Sequence, residues 1–503
     1  MTNETSYLAF IWQEKSNHRY LLLALGSSVV LFILFKILYP YPDFFSDSYS
    51  YIEAAYNHLT ISIWPIGYSK FLTVVHYLTH SDTALIAIQY FLLQISLLHL
   101  FFSVRYFFVL TQLQSKLTFV LFFINPLSLY LCNYVNSDPL FASVSIFWIV
   151  ELIWIIRKPK IHHVFSQGIL LFICFTIRNN AYYYPIVATA CIFLSHQSVL
   201  RKIAGVLMPL CLIIPFIVQT QNEAYKKTGV RQFSLFTGWQ LANNALYIYD
   251  KIDVVASDFP TPASKELNNF AKTYFTHIKS DAFHDYLNSY VGNYFIREPE
   301  APLKKYYQIH YSSKKDTDIV RSWGRASADF EPFGKTIILK YPISYAQYFV
   351  LPNIGHYFLP PMSHLERYNY GQPEIDPIAA TWFDLPTTQV SCISYDLQQF
   401  LILYVALFGV LNINLLWLWV RLFLRKRNLS AESRIPNEIW LLSLFFILNF
   451  AFSVSTTENI LRYQFIPLVV IIPFSQIAIN WLSINPTSQK IKSTSAKPTQ
   501  LVV

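Results

Sequence analysis

Asp43, Asp47, Asp138, Arg178, Glu458 and Arg462 are ionisable residues that flank long apolar runs in this chain. Asp43 and Asp47 lie in "YPDFFSDSYSYIEAA" (41–55), directly after "LLLALGSSVVLFILFKIL". A carboxylate at the mouth of such a run is costly unless it stays wet, is paired, or is used. If the loop turns helical at "SDSYSYIEAAYNHL", Asp47, Tyr51 and Ala54 or Ala55 share a face, with Ser46 or Ser48 available as cap. Asp47 then has two readings: a helix-end carboxylate stabilised by the dipole, or a general base. Inverting transfer of a sugar from a lipid phosphate needs one carboxylate to deprotonate the acceptor. The phosphate leaves without a proton, but cations must hold its charge. Arg178 in "TIRNNAYYYP" and Arg462 in "ENILRYQFIP" are such cations, and Lys70 is a weaker one. Each also has a purely structural role open to it. The arginines can snorkel to an interface, Asp138 can cap the helix it opens, and Glu458 can pair with Arg462 at i,i+4.

The elements that must hold these groups follow from composition. Of 503 residues, 54% are hydrophobic and 13% charged, about half the charge of a soluble chain. Apolar runs of about 20 residues recur, the length that crosses a bilayer core. The reading is an all-α polytopic membrane protein with about ten spans, at 20–39, 83–109, 117–131, 139–156, 164–178, 181–195, 203–219, 399–420, 437–454 and 461–482. The third and fifth are short. The net charge of +9 reads as a loop bias rather than as a nucleic-acid surface. One set of loops holds Lys15, Arg19, Lys116, "RKPK" (157–160), Arg201, Lys202, "RLFLRKR" (421–427) and the tail lysines Lys490, Lys492 and Lys497. The positive-inside rule makes that side, and both termini, cytoplasmic. The acidic loop 40–82, the turns at Asp138, Arg178 and Glu458, and a large segment, 220–398, then share the outer face. This divides the chain into a membrane module (1–219), an α-rich extracytoplasmic domain (220–398) between spans seven and eight, three further spans (399–483) and a cytoplasmic tail (484–503). Within the outer segment, 335–358 is apolar but broken by Pro342 and Pro352. It reads as an interfacial helix in preference to a pair of extra spans. The five cysteines are scattered and frame neither a disulfide set nor a metal site.

The order of these elements resembles the GT-C superfamily, polytopic glycosyltransferases that use polyprenyl-phosphate sugars. The resemblance rests on "SDSYSYIEAA" with Asp47 and Tyr51, "WPIGYSKFL" with Pro65, Gly67 and Tyr68, "NSDPLF" with Asp138, "TIRNNAYYYP" with Arg178, "TGWQLANNALY" (237–247), and "ENILRYQFIP" with Arg462, Tyr463 and Pro467. It covers 20–220 and 399–483. It implies an inverting transferase with Asp47 as base, Asp43 or Asp138 supporting it, and Arg178, Arg462 and Lys70 binding donor phosphate. Tyr51, Tyr68 and Glu458 would support the substrates. Relatives resembling the protein-mannosyl and aminoarabinose branches carry Lys or Arg just before the Pro-Gly-Tyr element. Here those positions are Ile63 and Trp64, so other cations must serve.

The implied partners are membrane lipid, a lipid-linked sugar as donor, and a glycan, lipid or protein acceptor, in a plasma membrane of bacterial type. No metal residue is assigned, although Asp43, Asp47 and Asp138 can hold a divalent cation. Two other readings compete. A flippase for lipid-linked sugars needs polar groups near the bilayer midplane and a repeat between halves. A surface-polysaccharide polymerase or ligase would lean on arginines more than on the first-loop Asp.

Overall fold

The computed structural model describes residues 5–277, 292–312, 318–427 and 435–483. The tail 484–503, with Lys490, Lys492 and Lys497, lies outside the described residues. Those residues are mostly helical, and the only β contacts among them are two isolated bridges. Eight helices are long and apolar enough to cross a membrane: Lys15–Leu38, Asp82–Phe107, Gln112–Asn133, Ser137–Arg157, Val199–Thr228, Leu397–Arg425, Asn437–Thr456 and Leu461–Ser483. The protein is therefore an all-α chain of polytopic membrane type.

Two of the ten expected spans fall short of that length. The stretch 164–178 becomes the 17-residue helix Ile161–Ile177, and 181–195 becomes the 11-residue helix Tyr184–Leu194 after a 3-10 turn at Asn179–Tyr183. The break expected at the Arg178 turn is present, and the 3-10 turn after it delays the second helix to Tyr184. The third stretch is longer than expected. It runs from Gln112 to Asn133 with a break where Asn125 caps, through Leu127 N–H, a new helix that begins at Pro126.

Burial sorts these helices into layers. Ser137–Arg157 is enclosed on nearly all sides, with Trp148, Ile149, Leu152 and Ile155 in the main core. Lys15–Leu38 and Val199–Thr228 expose Leu22, Leu23, Ile33, Ile37, Leu200, Leu207 and Ile214. Outward apolar stripes of that extent suit lipid and not water.

The described residues between Phe236 and Val350 build a second, separate core around Trp239, Phe295, Leu303, Phe330, Phe333 and Phe349. Its centre is the contact between helices Thr237–Leu246 and Ile319–Lys340. A Cβ on Gly238 would overlap the Ser327 carbonyl, and one on Gly334 would collide with the Leu241 backbone. The helices touch backbone to backbone only because both positions are glycine. After this unit the chain rejoins the main core through Leu365, Tyr368, Ile375, Trp382 and Val390. The segment 220–398 is thus two parts, and its first residues, to Thr228, still belong to the Val199–Thr228 helix. The apolar stretch 335–358 also divides. Its start is the end of Ile319–Lys340, and the rest is one 17-residue helical run, 342–358, with a π segment at Ala346–Val350. No single helix there crosses a membrane by length, and Leu339, Ile343 and Leu351 are exposed.

Candidate functional site

Two backbone hydrogen bonds pin the first loop to the turn before Asp138. Asp43 N–H donates to the Asn133 carbonyl at 2.9 Å, and Val135 N–H to the Asp43 carbonyl at 3.2 Å. The chain then enters the helix Ser46–Tyr56, where Phe45 N–H donates to Ser48 Oγ at 3.2 Å. Asp47 falls in the first turn, and Tyr51, one turn on, is buried. Tyr51 shares a hydrogen bond with Ser137 Oγ at 3.0 Å and meets the Tyr68 ring edge-on at 4.9 Å. Tyr68 is fully buried and donates to Gln89 Oε1 at 2.7 Å. A Cβ on the neighbouring Gly67 would lie 2.7 Å from the Thr176 carbonyl carbon. The start of the Gly67–Leu78 helix is therefore pressed onto the chain two residues before Arg178, and the Pro-Gly-Tyr element ties the face of Asp47 to that arginine.

These contacts enclose a cavity of about 660 Å³. Asp47, Tyr51, Arg178 and Arg462 all line it, together with Trp64, Arg297, Lys304, Trp323 and Tyr463. Asp138 stands behind the wall and holds both sequence-identified arginines. Arg178 Nη1 donates to Oδ1, and Arg462 Nη1 donates to Oδ2 at 2.8 Å; Asn136 Nδ2 also donates to Oδ2 at 2.7 Å. Asp138 is thus not the cap of its helix; Asn136 occupies that position. Aromatic faces complete the clamp. Arg178 lies 4.7 Å over the Tyr463 ring, and Arg462 lies between Phe45 (4.6 Å) and Tyr463 (5.0 Å).

Asp47 makes no ion pair within 4 Å among the described residues. Burial pushes its carboxyl above the usual carboxylate range, opposed by the charges of Arg462, Arg297 and Arg178. It is an unpaired acid facing a ring of guanidiniums. Glu458 does not pair with Arg462 in a helical turn, because 457–460 is not helical. It accepts from Asn293 Nδ2 at 2.9 Å and lies 3.7 Å from Arg297 Nη2. Burial raises its carboxyl too, and Arg297 and then Arg462 offset the rise.

Lys70 is not part of the site. It is exposed and donates to the Leu59 carbonyl at 2.7 Å, since two residues past Tyr68 a helical side chain points elsewhere. Asp43 does not line the cavity either. It is buried, accepts from Asn369 N–H at 2.8 Å, and burial pushes its carboxyl up to about 8. It braces the loop that presents Asp47. Asp43, Asp47 and Asp138 do not converge, and among the described residues no three His, Cys, Asp or Glu side chains gather as metal ligands do. Arg297 and Lys304 went unnoticed in the sequence, where neither lies in a motif or a periodic pattern.

Two recesses open from the cavity. One is apolar, with Ile61, Phe216, Ala224, Phe233 and Leu235; it lies against the Val199–Thr228 helix and, at about 30 Å³, has room for no more than about one water. It shares Ile63, Trp64, Asn179 and Ser234 with the main space. The other, of about 290 Å³, is polar, carries Glu53, Asn57, Lys227 and Asp318, and shares Ser50, Ile63 and Ile319. No protein-family model, no curated protein and no solved structure matches the chain.

Proposed function

We propose that the protein is an inverting, GT-C-like glycosyltransferase that moves a sugar from a polyprenyl-phosphate donor to an acceptor hydroxyl at the outer face of a membrane. The observation that carries this reading is the meeting, in one cavity, of an unpaired carboxylate and a set of clamped arginines from distant parts of the chain. In the step proposed, the acceptor oxygen attacks the anomeric carbon and its proton passes to Asp47. The bond from the anomeric carbon to the phosphate oxygen breaks, and its electron pair stays on the phosphate. Negative charge moves from the base to the leaving group, towards Arg178 and Arg462. Asp138 is a positioning residue that fixes both guanidiniums, and Tyr51 borders the base. Arg297 adds a cation that the family resemblance did not supply. The polar recess at Ser50, of about 290 Å³, suits an acceptor arriving from water.

The same reading puts about ten spans across a plasma membrane of bacterial type, with both termini cytoplasmic and 236–350 outside. A flippase is less well supported, because the charged groups gather at helix ends and not along a path. Asp138 opens Ser137–Arg157, Arg178 closes Ile161–Ile177, and Glu458 and Arg462 lie between Asn437–Thr456 and Phe465–Ser483. Incubating detergent-purified protein with labelled polyprenyl-phosphate sugars and a pool of candidate acceptors tests the proposal. Label should leave the lipid, with inversion at the anomeric carbon. Retention of all label on the lipid across sugars and acceptors would count against it.

A further inference from the structure

Lys304 lines the cavity, and the proposed transfer does not use it. Its neighbour Lys305 pairs with Glu300 at 2.8 Å. Lys304 has no carboxylate within ion-pair distance among the described residues, and burial alone pulls its ammonium below the ordinary lysine range. It rests instead on aromatic faces, with Nζ 5.0 Å from the Trp323 ring centre and 5.6 Å from that of Trp239. Trp323 stacks on Trp239 at 4.0 Å, and Trp64 meets Phe236 at 4.7 Å. The cavity thus has an aromatic arm holding a single cation.

The arginine end differs in its charge balance. Asp138 is shared by Arg178 and Arg462, Glu458 faces Arg297, and Asp47 feels all three. When those carboxylates are ionised, they match the guanidiniums before any ligand enters. Lys304 is the cation left over. Partly desolvating an ammonium without a counter-charge is unfavourable, and cation–π contact returns only part of that. An anion in the arm would return the rest, and the flat faces of Trp323 and Phe236 suit a ring with apolar C–H faces.

We infer that the cavity takes a sugar bearing its own anionic group, a carboxylate or a phosphate ester, which meets Lys304 while the ring lies against Trp323. The inference rests on the glycosyl-transfer reading for the reaction and on the surroundings of Lys304 for the charge. It is tested by titrating the purified full chain with glucose, glucuronic acid and glucose 6-phosphate, following intrinsic tryptophan fluorescence. One of the two anions should bind about tenfold more tightly than glucose, as a charge-assisted hydrogen bond gives, and which one does so names the anionic group. Lys304→Gln should abolish the preference and Lys304→Arg should restore most of it. Equal binding of all three sugars, no binding of either anion, or a preference that survives Lys304→Gln would overturn the inference. The two readings fail separately. If labelled neutral sugars are transferred as readily as acidic ones, the inference falls and the transferase stands. If the anion preference holds and no sugar is ever transferred, the transferase falls alone.

Discussion

At the scale of single residues, the site turns on three carboxylates with three different surroundings. Asp47 has no ion pair among the described residues, Asp138 is gripped by two arginines, and Asp43 is enclosed by backbone and aromatic rings. The folded-state pKa of Asp47 lies above its ordinary value, so the folded chain binds protons more tightly there than the unfolded chain. The sign follows: ionised Asp47 costs stability as pH rises past the unfolded value. Asp47→Asn should therefore melt at or above the wild-type temperature at neutral pH while losing activity. In the wild type, kcat/KM should fall as pH drops through an acid limb displaced above about pH 4, because only the ionised base works. A limb at or below the ordinary carboxylate value would show that Asp47 is not the titrating base. Asp43 behaves differently, because with its carboxyl pushed up to about 8 it is largely neutral at pH 7. Asp43→Asn should keep most of the activity. It should also remove a loss of thermal stability that the wild type shows between about pH 5 and pH 8, read from melting curves across that range. Asp138→Asn should lower stability by about 3–5 kcal/mol, the cost of stripping a buried charge of its partner, measured by denaturant titration. Its turnover should fall with it, since Arg178 and Arg462 lose their common anchor.

At the scale of elements, glycines and turns decide how these residues meet. Gly67 lets the Gly67–Leu78 helix touch the chain at Thr176. Gly67→Val should push that helix off and separate Tyr51 from Arg178. A destabilisation of about 1–3 kcal/mol, as overpacking costs, with a clear drop in kcat is expected; unchanged melting and turnover would show that the contact is slack. Much of this was legible in the sequence. The Ser46–Tyr56 helix could be read from serines and an acid at its start and from the buried face of Tyr51, Ala54 and Ala55. The Glu458–Arg462 pair was misread, because i,i+4 reasoning holds only inside a helix and 457–460 is not one. Lys70, the weaker candidate cation, does not line the cavity and instead donates to the Leu59 carbonyl. The break at Arg178 was legible, but the 3-10 turn at Asn179–Tyr183 that delays the next helix to Tyr184 was not, because hydropathy does not register it.

At the scale of the whole molecule, an apolar bundle and a smaller aromatic core close on each other over a charged cavity. Hydropathy was enough to recognise the bundle. It could not show that Arg297 and Lys304, more than a hundred residues from Arg178 in the chain, complete the cavity wall, since only tertiary packing brings them there. The cavity also adjoins a polar recess of about 290 Å³ that carries Glu53, Asn57, Lys227 and Asp318. The central claim is that Asp47 takes the acceptor proton. The measurement that addresses it most directly is the single-turnover rate of sugar release from a labelled polyprenyl-phosphate donor, compared between wild type and Asp47→Asn at saturating donor. A fall of about 10³-fold, in a variant that still binds donor and melts normally, is the predicted result. Wild-type turnover in Asp47→Asn would contradict it and leave the cavity without a base.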